Sequence, residues 1–168
     1  MVSKNPFEVI IVIIDAHVHI TPPTVLSFDG RPGAKGHTSE DQIRLMDECG
    51  INKCVVVGYA FPPDGDMLGP EHIKRNNEWG AEVAKKYRRI IPFALVNYCL
   101  PDAVEELKRA VASGLKGAKI FPLPFIPIDS QLVYPVFEAA RSLRIPVTIH
   151  SDFTMQYLSP YKIMRVAE

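Results

Sequence analysis

Five short apolar runs, each followed by a loop and then a segment of helical periodicity, most constrain what this chain can fold into. The runs are Val9–Ile14, Lys53–Val57, Ile90–Leu95, Gly117–Phe121 and Pro146–His150. They are too short and too rich in β-branched residues for helices, and too uniformly apolar for strands wetted on one face. Between them lie amphipathic segments. Thr38 and Asp41 form a capping box for a helix carrying Ile43, Leu45 and Met46, with Gly50 placed to end it. A second helix runs from about Glu71 to Tyr87, with Ile73, Asn77, Gly80, Val83, Ala84 and Tyr87 on one face. A third spans Asp102–Ser113 and stops at Gly114. A fourth places Leu132, Val133, Val136, Phe137, Ala140 and Leu143 at three- and four-residue steps. Ser159 and Pro160 read as the N-cap and first position of a last helix. Pro92 interrupts the third run and weakens it as a strand.

Apolar strands alternating with amphipathic helices predict an α/β fold with a helix-covered parallel sheet. Loops after strands are long, whereas turns after helices are short, such as Gly50–Asn52 and Arg88–Arg89. That asymmetry predicts a (β/α)8 TIM-barrel type, whose working face is built from strand-to-helix loops. A doubly wound sheet is the competing architecture, but no Gly-x-Gly-x-x-Gly or Walker-type loop follows any strand, which removes support for nucleotide binding.

The 168 residues suffice for one domain with a real core. Nineteen Lys and Arg balance nineteen Asp and Glu, so no electrostatic footprint for nucleic acid or anionic membrane is expected. No apolar stretch approaches a membrane span; Val9–Ile14 makes better sense as a buried strand. Three cysteines, Cys49, Cys54 and Cys99, are odd in number and fit a reduced, cytoplasmic setting better than a disulfide framework.

The chemistry gathers at one end of the expected sheet. In Asp15-Ala16-His17-Val18-His19, alternation along a strand puts both imidazoles on one face, where they can bite a single divalent cation. His150 ends the fifth run. Taken alone it is as well explained by a hydrogen bond to backbone; joined to the first pair it completes a three-histidine site. Zinc suits such a donor set, with manganese the alternative. Lys119, near the end of the fourth run, is equally placed to meet a substrate carboxylate or to snorkel at the sheet edge. Tyr59 lies just after the second run and Asn97 just after the third. Tyr59, Phe61, Phe121 and Phe125 either line an apolar pocket or simply pack the loops. Asp152 either orients a ligand or is an exposed loop acid. His37 and His72 are expected to be solvated.

The order Asp15-Ala16-His17-Val18-His19, Gly114-Leu115-Lys116-Gly117-Ala118-Lys119 and Ile145-Pro146-Val147-Thr148-Ile149-His150 resembles the amidohydrolase superfamily. The similarity is strongest to the amidohydrolase-related branch containing aminocarboxymuconate-semialdehyde decarboxylase-like enzymes. It extends over essentially the whole chain, Asp47–Lys53 included. The resemblance implies a barrel holding one or two divalent metals, with His17 and His19 as first-strand ligands and His150 as the fifth-strand ligand. It also implies a sixth-strand histidine and an eighth-strand aspartate, which residues 1–168 do not contain. The chain is therefore expected to be a partial amidohydrolase-type barrel domain of about five β/α units, truncated after Glu168. Two open sheet edges would follow, with a tendency to associate, including with a second copy.

TatD-type deoxyribonucleases share the His-x-His start but place a glutamate where this chain has Gly117–Ile120. PHP-type phosphoesterases need more His, Asp and Glu ligands than are present. A carbamylated Lys119 bridging two metals is set aside in favour of one metal. The resemblance implies a metal-dependent hydrolase acting on a C–N or C–O bond of a small molecule through activated water. The alternatives are non-oxidative decarboxylation of a small carboxylic acid and a non-catalytic half-barrel. No catalytic acid or base is assignable within the chain.

Overall fold

The structure, a computed structural model, describes residues 11–23, 36–57, 68–121, 126–152, 154 and 159–167. Strands and helices alternate: β1 (Ile14–Val18), α1 (Ser39–Cys49), β2 (Lys53–Val56), α2 (Pro70–Lys86), β3 (Ile90–Pro92), β4 (Ala94–Val96), α3 (Ala103–Ala112), β5 (Ala118–Ile120), α4 (Tyr134–Leu143), β6 (Val147–Ile149) and α5 (Pro160–Ala167). Among the described residues every strand pairing is parallel, in the orders β1-β2-β3 and β4-β5-β6. This is the parallel β/α architecture of the barrel class.

Pro92 and its successor explain why the third apolar run makes two strands. Phe93 alone separates β3 from β4, and there the segment changes partner: Phe93 N–H donates to Val56 O at 2.9 Å, and Ala94 N–H to Gly117 O at 2.8 Å. The ring of Phe93 lies against Gly117, where a Cβ would meet it at 2.5 Å. Beyond that point β2 and β4 diverge, and a side chain from α2 fills the gap. Asn77 donates from Nδ2 to Leu95 O at 3.1 Å and accepts the Leu95 N–H at Oδ1 at 2.8 Å. A side-chain amide thus supplies the two bonds a neighbouring strand would make.

Two larger hydrophobic clusters lie between strands and helices, and a third, smaller one packs Leu95 of β4 against Ile73 of α2 and Leu68. Val18, Ile20, Cys54 and Val56 pack with Met46 and Val83. Ala94, Val96, Ala118 and Ile120 pack with Leu107, Ala110, Val136 and Ala140. Local signals work as read: Thr38 and Asp41 make a reciprocal capping box, Gly50 ends α1 at φ 69°, and Gly114 follows α3 at φ 117°. Five elements differ from expectation. Ile11, Val12, Ile13 and Ile14 are exposed rather than buried, because parallel pairing begins only at Ile14 with Lys53 and β1 is an edge strand of its sheet. Leu132 is exposed, because residues Gln131–Val133 form a tight 3-10 turn that rotates it off the face carrying Val133 and Val136. His72 is buried, since it falls four residues before Asn76 and eight before Gly80 on the inward stripe of α2. His37 is partly buried and its Nε2 lies 2.8 Å from Gln42 Oε1, fastening the chain ahead of α1. Lys119 occupies the middle of β5 with only 3% of its surface exposed, so it does not snorkel.

Candidate functional site

Strand alternation decides which side chains share the face opposite the helices. Val18 and Ile20 belong to the helix-facing core, so His17 and His19 project the other way. The register shows how His17 gets there. Ile14 pairs with Lys53, Asp15 with Cys54 and Val18 with Val56, so three steps on β1 match two on β2. That extra residue is a β-bulge, which re-aims the side chains following it. Without it, Asp15 and His17 would point the same way.

On that face the two imidazoles meet. His17 Nε2 and His19 Nε2 are 3.1 Å apart, their ring centroids 5.1 Å apart and tilted by 57°. Asp15 Oδ1 accepts the His17 backbone N–H at 3.1 Å, bracing the turn of chain before the pair. On the other sheet, Ala118, Ile120, Val147 and Ile149 pack toward the helices, so Lys119, Thr148 and His150 lie on the opposite face. Leu95, Lys119 and Thr148 are in register across β4, β5 and β6. His150 follows β6 directly, its backbone N–H donating to Ile120 O at 3.1 Å. Its ring stacks on Phe121, centroids 4.6 Å apart at 24°.

These groups feel one another. Burial lowers the pKa of His17, and the Lys119 charge lowers it further, against a small opposing pull from Asp15. His19 is lowered by burial, then by His17, Lys119 and His150. His150 is lowered by burial and by Lys119 and His17, with Asp152 opposing. Burial lowers Lys119. All three imidazoles are therefore biased toward the neutral form in which they ligate a metal.

His17 and His19 fit a metal as a pair. A tetrahedral cation with Zn–N bonds of about 2.0–2.1 Å holds its ligand nitrogens roughly 3.3 Å apart, close to the observed separation. Among the described residues, no group of three His, Cys, Asp or Glu side chains is arranged to hold a metal ion. The fold thus joins His17 to His19, and places His150 on the same face without closing a three-ligand cluster. Tyr59, Phe61 and Phe125 lie outside the described residues. Asn97 is buried and structural: Nδ2 donates to Leu68 O at 2.9 Å, and Oδ1 accepts the Cys99 N–H at 2.9 Å. Asp152 accepts from the N–H and hydroxyl of Thr154, both at 2.7 Å, so it forms a local turn. The cysteines are free thiols, Cys49 exposed, Cys54 buried and Cys99 between. No helix among the described residues is long and apolar enough to cross a membrane. Sequence reasoning missed the bulge in β1 and the placement of Thr148 beside Lys119; strand pairing alone reveals both.

Comparison with known proteins agrees with this architecture. The chain is similar to 2,6-dihydroxybenzoate decarboxylase from Rhizobium, with 22% identity, a TM-score of 0.67, and coverage of 91% of this chain and 54% of that one. It is similar to a manganese-bound 5-carboxyvanillate decarboxylase from Novosphingobium aromaticivorans, with 19% identity, a TM-score of 0.64, and coverage of 83% and 51%. A probable 2-pyrone-4,6-dicarboxylic acid hydrolase from Acinetobacter baumannii matches at 17% identity and a TM-score of 0.57, covering 84% of this chain and 50% of that one. The chain thus spans about half the length of these solved structures. No curated protein matches it significantly in sequence. The amidohydrolase family profile matches residues 14–168, and the chain belongs to that family.

Proposed function

We propose that His17, His19 and His150 are ligands of one divalent cation, zinc or else manganese, in an enzyme that hydrolyses a C–N or C–O bond of a small molecule. The observation carrying this reading is the 3.1 Å approach of two imidazole nitrogens at the end of β1, facing the side of the sheet on which His150 also stands. A bound divalent cation supplies Lewis acidity, polarising an acyl oxygen and lowering the pKa of water from 15.7 toward about 7. The chain's own residues hold and orient. His17 and His19 present neutral nitrogens at a fixed bite, and the stack on Phe121 restrains the His150 ring. The Asp15 carboxylate beside the pair accepts the His17 backbone N–H, and this reading assigns no general base among the described residues.

Decarboxylation is the second reading. Its support is that two of the similar structures are decarboxylases by name, one with bound manganese. Cleavage of a carbon–carboxylate bond needs orientation and charge stabilisation but no acyl transfer.

Metal analysis tests the common part. The purified chain, dialysed against zinc or manganese, is expected to retain about one cation, and His17→Ala/His19→Ala to retain none. Equal metal in both proteins overturns the ligand assignment. Incubation in ¹⁸O-labelled water with a panel of amides, esters and acids separates the two reactions. Label in the organic acid product marks hydrolysis; CO2 release with an unlabelled organic product marks decarboxylation.

A further inference from the structure

Asp15 stands on the core side of β1, in register with Cys54. The Cys54 thiol belongs to the cluster packed around Met46 and Val83, and burial followed by the Asp15 charge pushes it up to about 11. Placing a carboxylate there is favourable only if its hydrogen bonds offset the lost hydration. Among the described residues Asp15 joins no ion pair. Its Oδ1 accepts the His17 backbone N–H at 3.1 Å.

That bond links a side chain to the backbone two positions on, which is an Asx turn. It falls where the β1–β2 ladder is irregular. Ala16 and His17 together stand opposite Val55 alone, between the pairs Asp15–Cys54 and Val18–Val56. A bulge takes its extra residue out of the ladder and leaves a backbone group to be satisfied elsewhere. The Asp15 carboxylate satisfies one from within the strand.

The bulge determines which face carries the histidines. In regular register from the Asp15–Cys54 pair, His17 would stand opposite Val56, and both imidazoles would share the helix-facing side with Cys54 and Val56. Val18 and Ile20 would take the open face. With the bulge the assignment is reversed. Val18 and Ile20 enter the core, and His17 and His19 approach on the other side, Nε2 to Nε2 at 3.1 Å.

We infer that Asp15 is a positioning residue for the histidine pair: by accepting the His17 N–H it holds the bulge that turns His17 and His19 away from the core. The consequence for metal binding rests on the reading proposed above; the bulge does not. Asp15 acts through the backbone, so the place of its acceptor oxygen counts and its charge does not. An Asx turn admits Asn and excludes Glu, whose extra methylene carries the oxygen past the N–H.

Asp15→Asn, Asp15→Glu and Asp15→Ala separate the bond from the charge. Hydrogen exchange at the His17 amide, followed by NMR in the metal-free chain, reads the bond. Methyl NOEs that place Val18 in the Met46 cluster read the face. Zinc affinity, from competition with a chromophoric chelator, reads the consequence. Asp15→Asn is expected to keep slow His17 exchange and to bind zinc within about threefold of the unsubstituted chain. Asp15→Glu and Asp15→Ala are expected to speed His17 exchange and weaken zinc binding, each by about tenfold or more, and to lose Val18 NOEs while exchange in α3 and α4 stays unchanged. If Asp15→Ala fails to fold, Asp15→Glu against Asp15→Asn carries the same comparison. Fast His17 exchange in the unsubstituted chain overturns the assignment. So do unchanged exchange and NOEs in Asp15→Glu, or an Asp15→Asn variant as impaired as Asp15→Glu. A chain that binds no zinc, yet shows the expected exchange and NOE pattern, keeps the bulge assignment and sinks the ligand reading instead.

Discussion

The carboxamide of Asn77 holds both backbone groups of Leu95, donating to its carbonyl at 3.1 Å and accepting its N–H at 2.8 Å. The same Nδ2 donates to Glu106 Oε1 at 2.8 Å, and Glu106 is held by Arg109 at 2.7 Å. This network closes the gap where β4 leaves β2, one strand away from Lys119.

Asn77→Leu is therefore expected to destabilise the chain by about 2–4 kcal/mol, since two buried backbone groups lose their partners. Asn77→Asp keeps an acceptor for the Leu95 N–H but loses the donor and faces Glu106 with like charge, so it should be no milder. Urea denaturation checks both. A loss below about 0.5 kcal/mol for Asn77→Leu means the sheet closes over the gap unaided.

Gly117 is needed for space. Its α-carbon faces the Phe93 ring so closely that an added methyl would lie 2.5 Å from two ring carbons. Phe93 is buried at the point where the chain changes sheet partners, so the ring cannot swing into solvent. Gly117→Ala is expected to cost about 1–3 kcal/mol by overpacking. Combining it with Phe93→Leu should cost less than the two changes summed, measured as a double-mutant cycle.

Thiol labelling separates the cysteines. Burial, with a smaller contribution from Asp15, pushes the Cys54 thiol up to about 11. At pH 8 iodoacetamide should modify exposed Cys49 first and leave Cys54 intact until the chain unfolds. The raised value also ties stability to pH. The folded chain keeps a proton that the unfolded thiol releases near 9, so this contribution is full below pH 9. It falls as pH rises toward 11. Fast labelling of Cys54 in the native chain at pH 8 would contradict its placement beside Met46.

Helix α5 has no fully buried residue, and ionic contacts to Asp129 supplement its packing. Lys162 lies 3.3 Å and Arg165 3.1 Å from that carboxylate, which is 9% exposed. Because Arg165 is largely in solvent, the pair is worth about 0–1 kcal/mol. Asp129→Asn should then raise hydrogen exchange in residues 160–167 while leaving the melting temperature nearly unchanged. Unaltered exchange would assign the docking of α5 to Ile163 and Val166 alone.

What could be read along the chain was whatever neighbours in sequence decide. The capping box of Thr38 and Asp41, the glycine stop at Gly50 and the helical stripes depend on residues within a few positions of one another. The His17/His19 pairing at a strand end was legible for the same reason, and with it the parallel β/α architecture. The tertiary structure decided the rest. A one-residue mismatch between β1 and β2 turns His17 onto the face opposite the Val18 core, and that offset exists only when two strands are laid side by side. Exposed Ile11–Ile14 follow from where pairing starts, which composition does not encode. Lys119 looks like an edge lysine in one dimension. It becomes a buried cation because β4 and β6 flank it, and burial is a property of everything packed around a residue, never of the residue alone.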